Sequence, residues 1–528
     1  MNIKKLYIPV VAAALTLGFS SCNDYLNKQP DSRLDLESPD DVSKLLTSAY
    51  PQVHPAYLLE MYSDNTDCNI NTGWDAADRF QEQAYNWADI TETGDYESPS
   101  TMWSTYYEAV TTTNLALEHI NSQSETEQSK YAAQKGEALL CRAYAMFQLA
   151  NVFCQAYDET TAGSDLGLPY PETATTNVYA KYERGTLAEL YAKIEKDILE
   201  GLKTLGENNY EKPKYHFTTS AAYAFAARFY LYYHKYEKAV EYADLVLGSN
   251  PKSLLRDWAT WGALSANGQI QPNAYISSSV KANLLLQVVA SEWGAIGGPY
   301  SYGDKYAHSA FITTEETVQS EGPWGSSGTV FNYSVFSNPS VSKYLVRKVP
   351  YDFEYSDIQA GIGTPHAEYC EFTADETLIV RAEAKAMLGR YQDAIDDLNT
   401  ELSVFAKSGT EITLDEVKKF YSDSNTPYYT PTNGTPRKQL HTSFAIEQTT
   451  QEPLLQCILH LRRILTIHEG LRMQDVKRYG ITIYRRNVRS NYKITEVTDT
   501  MAAHDPRLAI QLPQDVIEAG LTANLRNK

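Results

Sequence analysis

Cysteine is scarce for a chain of this size, 6 in 528 residues, and no two of them form a CxxC pair. Beyond Cys22 stand Cys68, Cys141, Cys154, Cys370 and Cys457, an odd set that spells no disulfide framework, and a protein this long holds a core without one. They are read as small apolar residues, with Cys141 and Cys154 in a buried helix. Positive charge is also short. Lys and Arg number 46 against 66 Asp and Glu, a formal net charge of −20. This argues against nucleic acid and polyanionic ligands and favours neutral ones such as uncharged glycans. Past Ser21 no run is apolar enough to span a bilayer. Phenylalanine, at 15, is outnumbered by 40 tyrosines. A core needs only the ring, whereas a hydroxyl is useful where the ring is half wet. The excess predicts aromatic surfaces, although most of these tyrosines are expected to pack between helices with their hydroxyls at the rim.

What is present at the start of the chain concerns its location. Lys4 and Lys5 give a positive beginning, Leu6 to Phe19 an apolar stretch too short for a bilayer, and Ser20-Ser21 the small residues of a cut. Cys22 follows. A cysteine there resembles a bacterial lipoprotein cleavage site, apart from Phe19, where such sites carry a smaller aliphatic residue. The alternative is an ordinary secretory leader with an incidental cysteine. The lipoprotein reading makes residues 1–21 a signal peptide and Cys22 the acylated first residue of the mature chain. Several acyl chains anchor durably where one does not, so a soluble body tethered to a membrane is expected.

From about Trp103 to Pro251 the pattern is helix, turn, helix. Ala133, Gly136, Leu140, Ala143, Phe147 and Ala150 recur at steps of three and four, one apolar stripe with small residues where a neighbouring helix must come close. Thr186 with Glu189 predicts a capping box ahead of Leu187, Leu190, Ile194 and Ile198, and Thr373 with Glu376 repeats the device. From Tyr223 the residues match the tetratricopeptide pattern: Ala226, Ala227 and Tyr230 on a first helix, Tyr236 at the turn, Ala239, Ala243 and Val246 on a second, and Pro251 closing. A weaker copy runs through Leu378, Ala382, Tyr391, Ala394 and Leu398. The expected fold is mostly α, a tetratricopeptide-like scaffold of about four helical pairs, enough to stack a continuous core.

Between the repeats, from about Trp258 to Tyr369, the chain turns rich in Gly, Ser, Pro, Asn and aromatics and loses helical periodicity, as in "SEWGAIGGPYSYGDKY" and "EGPWGSSGTVFNY". A loop region this long is usually functional or disordered, and its aromatic content favours function. Phe420 to Pro436, with Pro427 and Pro431, reads as another surface loop. The expected organisation is therefore a leader (1–21), an N-terminal repeat-rich region (22–257) and a C-terminal region (258–528). The last contains a loop insertion at 258–370 and a further helical repeat at 373–406.

In this order, "CNDYLNKQP", "RAYAMFQLANVF", "LGLPYP", "AAYAFAARFYLYYHKYEKAVEYADLVL", "VRAEAKAMLGRYQDAIDDLN", "EGLRMQDVKRYG" and "DPRLAIQLPQDVI" resemble the SusD/RagB outer-membrane lipoproteins across nearly the whole chain. The sequence departs from the family at Leu461 and Leu465, where glutamates are usual, and at Asn524-Leu525 in place of Asn-Pro. The resemblance implies a tetratricopeptide scaffold with irregular loops that acts as a hinged lid over a SusC-type TonB-dependent barrel. Such a protein captures an oligosaccharide, or in some members a peptide, at the cell surface, delivers it to the barrel and performs no chemistry. A surface glycan hydrolase and a protein-binding tetratricopeptide adaptor are the alternatives.

Sugar recognition needs flat rings for pyranose CH faces and planar polar side chains for hydroxyls. Two clusters offer both. The first is "NTGWDAADRFQEQAYNW", with Trp74, Asp75, Asp78, Arg79, Tyr85 and Trp87; the second carries Trp293, Tyr300, Tyr302, Tyr306 and Trp324. Family members are similar in drawing an aromatic arc from an early loop and from the central insertion. The expected ligand-binding residues are Trp74, Arg79, Trp87, Trp293, Tyr302 and Trp324, while Trp103, Trp258 and Trp261 are assigned to packing.

No cofactor is expected. Asp67, Asn69, Asn71, Asp75 and Asp78 are spaced like the ligands of a calcium loop, but Thr72 stands where the turn needs glycine and Gly73 comes one residue late. A solvated polar loop is the better reading, with calcium the lesser one. "HEGLR" at His468 has the look of a zinc-protease helix, yet Arg472 takes the second ligand position and cannot bind zinc. Glu469, Arg472, Asp475 and Arg478, three apart on one helix, read as surface or interhelical ion pairs. Carboxylate pairs are common in so acidic a chain, and counting them does not exclude a glycosidase dyad.

Overall fold

A computed structural model describes residues 36–70, 77–174, 182–206, 210–296, 305–338, 342–489 and 493–526. Cys22, Asn71, Trp74, Asp75, Tyr300 and Tyr302 lie outside them. Within them the chain is predominantly helical with several small sheets.

Helices α1 (Pro39–Leu46), α2 (Ala56–Tyr62) and α3 (Arg79–Tyr85) precede a long pair, α4 (Pro99–Ser122) and α5 (Ala132–Phe153). Helix α6 (Leu187–Thr204) packs on α5. Thr186 opens α6 with the expected capping box, its side chain accepting from Glu189 N while the Glu189 carboxylate accepts from Thr186 N. The small stripe on α5 does what its spacing implied. A Cβ on Gly136 would stand 2.5 Å from Leu205 N and 2.9 Å from Gly201 O, and one on Gly201 2.9 Å from Leu140 Cγ. The two backbones cross at these glycines, closer than any side chain permits.

Helices α7 (Thr219–Tyr232) and α8 (Tyr236–Leu247) pack together, as do α9 (Ala374–Met387) and α10 (Tyr391–Phe405). Helix α8 also packs on α9, so the two units that carry the repeat-like residues sit side by side although the central segment separates them in sequence. Ala226, Ala227, Ala239, Ala243, Ala382 and Ala394 are all fully buried, and small residues let the helix surfaces approach. One expectation fails here. Thr373 caps α9 by accepting from Glu376 N, but the Glu376 carboxylate does not return the bond; it accepts from Arg228 of α7 at 3.0 Å. A buried guanidinium outbids a cap, because leaving it unpaired costs more.

Strands β1 (Asp67–Ile70), β2 (Asn283–Ala290), β3 (Tyr306–Ala307), β4 (Asp352–Asp357), β5 (Ile362–Thr373), β6 (Ile483–Arg489) and β7 (Lys493–Met501) build two sheets. One has the order β7, β6, β1, β3, with β1 parallel to β6 and antiparallel to β3. The other has β5 between β2 and β4, all antiparallel. The second sheet corrects the reading of 258–370 as irregular. Leu284, Leu285, Leu286 and Val289 are buried against the helices, in an apolar run of strand length that the surrounding Gly, Ser and Pro obscure.

Helices α11 (Gln451–Leu465) and α12 (Arg472–Arg478) close the core. The ion pairs of α12 are buried and in part interhelical: Asp475 pairs with Arg462 of α11 and Arg478 with Glu383 of α9. Arg472 Nε instead meets Asp64, in the turn after α2, at 2.8 Å, and Glu469, which lies before α12, pairs with Lys348. Leu461 and Leu465, where the family the sequence resembles usually carries glutamates, are buried apolar contacts. Asp64, Asp67 and Glu316 are enclosed by Arg463, Arg472, Arg486 and Lys438. Burial alone would raise the Glu316 carboxyl, but Lys438, Arg486 and Arg463 hold it down to about 2. This network ties the start of the described chain to its last third. Among the described residues no helix is long and apolar enough to cross a membrane.

Candidate functional site

The strand register brings the two aromatic segments of the sequence to one place. Cys68 of β1 faces Tyr306 of β3 in antiparallel register, and Asn69 N donates to Lys305 O. Ile70 and Lys305 therefore lie at the same sheet end, where Ile70 also faces Arg489, the last residue of β6. Helix α3 completes this corner. Asp78 caps it in a box with Gln81, Glu82 pairs with Lys305, and Tyr85 stacks on Tyr306 at 4.4 Å.

Of the six expected ligand-binding residues, Trp74 and Tyr302 fall outside the described residues. Arg79 is exposed at the start of α3, where Nη2 donates to Thr91 Oγ1 at 2.6 Å. The three other rings are in the core, which corrects their assignment to a stacking surface. Trp87 is 2% exposed, donates to Tyr62 O at 2.9 Å and carries the Arg485 guanidinium 4.1 Å from its ring. Trp293 donates to His468 O and stacks on Tyr57 at 4.8 Å. Trp324 donates to Ser327 Oγ and lies against Gly322, whose Cβ would meet the indole at 2.3 Å. An indole has a large apolar surface and one donor, so a single buried acceptor suffices to take it inside. Trp258 and Trp261 are buried as expected, and Trp103 is half-buried against Phe153.

The exposed rings are elsewhere, on the β4–β5 hairpin. Phe353 and Tyr355 share one face of β4 by alternation, and Tyr351, just before the strand, continues the row. Tyr351 and Phe353 are half-buried and Tyr355 is 55% exposed. Phe353 and Tyr355 touch at 4.8 Å. Gly363, opposite Tyr355, makes room for the row, because a Cβ there would stand 2.6 Å from Phe353 Cε1 and 2.1 Å from Glu354 O. The hairpin tip exposes Ile358 and Ile362.

Carboxylates stand beside this row. Gly294 approaches the backbone of Pro350 and Tyr351 so closely that a Cβ would lie 2.1 Å from Pro350 O, which holds Glu292 next to the first ring; burial and then Glu292 raise the Tyr351 hydroxyl. Burial, followed by repulsion from Asp78, Glu292 and Glu92, lifts Asp95 to about 6. Glu97 beneath them is 3% exposed. It accepts from Ser291 Oγ at 2.6 Å and Glu292 N at 3.0 Å, and burial lifts it to about 7. Hydroxyl-accepting carboxylates beside half-wet rings are the chemistry that a polyhydroxylated ligand needs. Sequence reasoning passed over Tyr351, Phe353, Tyr355, Asp95 and Glu292; the alternation in "YDFEY" was the available signal.

Among the described residues no three His, Cys, Asp or Glu are arranged to hold a metal ion. Asp67, the first position of the calcium-like pattern, is committed to Arg486 at 3.0 Å and Ser309 Oγ at 2.7 Å.

Comparison with known proteins agrees with this architecture. Residues 24–231 match the family model SusD-like_3, described as "Starch-binding associating with outer membrane". Among solved structures, a SusD superfamily protein from Bacteroides thetaiotaomicron VPI-5482 is 18% identical with TM-score 0.60, covering 93% of this chain and 100% of its own. A putative sugar binding protein from Bacteroides vulgatus ATCC 8482 is 18% identical with TM-score 0.63, covering 92% and 98%. A SusD-like carbohydrate binding protein from the same organism is 18% identical with TM-score 0.57, covering 86% and 85%. No curated protein matches the chain. The chain thus shares the fold of SusD superfamily proteins over nearly its whole length, and its residues 24–231 match the SusD-like family model.

Proposed function

We propose that the protein is a non-enzymatic nutrient-binding lipoprotein of the outer membrane. Cys22 carries the acyl anchor, and the helical pairs, of tetratricopeptide type, form a rigid scaffold. The body binds a neutral oligosaccharide and passes it to a SusC-type TonB-dependent transporter. The row Tyr351, Phe353, Tyr355 beside Glu292 and Asp95 carries the reading. Arg79, exposed at the start of α3 next to Asp78, is proposed as a further contact, and Trp74 and Tyr302 remain ligand-binding proposals from the sequence. The acidic surface repels polyanions and leaves uncharged glycans as ligands. The "starch-binding" description of the matched family and the sugar-binding titles of the structural relatives support the ligand class.

The test is calorimetric titration of the mature protein with a panel of neutral oligosaccharides, in the native chain and in Tyr351→Ala and Tyr355→Ala. The native chain is expected to bind at least one member, and each variant to lose affinity while keeping its melting temperature. Equal affinity in the native chain and both variants removes the hairpin face as the site. Appearance of new reducing ends during incubation would make the protein a hydrolase.

A further inference from the structure

At the C-terminal end of α5 the chain leaves a cavity of about 370 Å³, within the range of small-molecule sites. The segment after α5, the turn between α7 and α8, a stretch at 442–444 and the final residues enclose it. A second opening of about 520 Å³ shares Thr442, Phe444 and His504 with it, so the two form one cleft. None of the residues lining it belongs to the hairpin face.

Its wall is aromatic and its polar groups are mixed. Tyr157 and Phe444 are half-buried and present rings at the opening. His234 stands between them in a left-handed conformation, φ 58°, with Phe444 edge-on at 5.1 Å and Tyr157 at 6.3 Å. Burial lowers His234 to about 4, so it is neutral, and its Nε2 has no hydrogen-bond partner among the described residues. At the floor is Lys477, 6% exposed, whose ammonium donates only to the carbonyls of Asn151 and Cys154, at 2.8 and 3.0 Å. Asp158 and Asp165 face it from the rim, accepting from Thr160 and Thr161.

Two rim carboxylates repel an anion, Arg478 is already paired with Glu383, and burial lowers the Lys477 ammonium to about 7, so what the cleft offers a ligand is rings and hydrogen-bonding groups. A neutral polyhydroxylated ring satisfies donors and acceptors together while stacking on Tyr157 or Phe444. We propose that the cleft is a second saccharide site, which takes a neutral sugar of one or two rings independently of the hairpin face.

The experiment is ligand-observed saturation-transfer NMR on the mature chain. The probes are a panel of glucose, galactose, mannose, xylose, N-acetylglucosamine and their common disaccharides. Three backgrounds are compared: the Tyr351→Ala/Tyr355→Ala double variant, that variant with Ser164→Trp, and that variant with Tyr157→Ala. Ser164 is exposed at the cavity wall, so Ser164→Trp fills the space without disturbing the core, even if Tyr157→Ala loosens its neighbours. At least one probe is expected to show transfer in the double variant and to fall to background once Ser164→Trp is added. No transfer from any probe in the double variant overturns the proposal, and so does transfer that Ser164→Trp leaves unchanged. A native chain that binds oligosaccharide only through the cleft would sink the hairpin reading and leave this one standing.

Discussion

At the residue scale, three tryptophans expected at the ligand lie in the core, and the exposed aromatic row is on β4. Trp87, Trp293 and Trp324 each find one buried acceptor and go inside. Tyr355 is 55% exposed and Tyr351 half-buried. Truncating Tyr355 is therefore expected to cost about 1 kcal/mol of oligosaccharide binding, roughly a fivefold loss, with no change in melting temperature. Trp87→Ala should instead destabilise the fold by about 3–5 kcal/mol, seen as a lowered denaturation midpoint. Glu97 gives a pH signature. An unfolded glutamate releases its proton near 4.5, whereas burial keeps this one until about 7. Between those values the unfolded chain binds fewer protons, so the contribution is full below the lower value and is lost as pH rises, roughly 3 kcal/mol in all. Melting temperature against pH should fall less steeply over that window in Glu97→Gln than in the native chain. An identical slope would contradict the assignment. None of this was legible in the sequence, because whether a ring or carboxyl is wet depends on distant segments: Arg485 over Trp87, and Ser291 under Glu97.

At the element scale, what was local was legible. The Thr186–Glu189 box and the small stripe of α5 depend on neighbours three or four residues away, and both form as read. The Thr373–Glu376 box has the same spelling and fails because Arg228, on another helix, takes the carboxylate. Strands β2 and β5 went unread because their pairing is long-range and their flanks are rich in turn residues. The close crossing of α5 and α6 makes Gly136→Ala costly. The new methyl would meet backbone at 2.5 Å, and about 1–3 kcal/mol of stability should be lost in denaturant titration. The hairpin offers the opposite case. Gly363→Val would drive Phe353 off its strand at the edge of the molecule, and weaker oligosaccharide binding with an intact fold is the expected outcome.

At the scale of the whole molecule, the family resemblance and the shared fold were legible because they rest on the order of many weak signatures along the chain, which single departures such as Leu461 do not break. The proposed binding face was not legible, because it draws on segments far apart in sequence: the approach of Gly294 to Tyr351, and the β4–β5 hairpin. The most direct check is a crystal structure of the mature protein bound to the tightest oligosaccharide of the panel. Sugar rings within about 4 Å of Tyr351, Phe353 and Tyr355, with hydroxyls on Glu292 or Asp95 and the glycosidic bonds intact, are the expected result. A ligand bound tightly elsewhere, with the hairpin face empty, or one found cleaved, would contradict it.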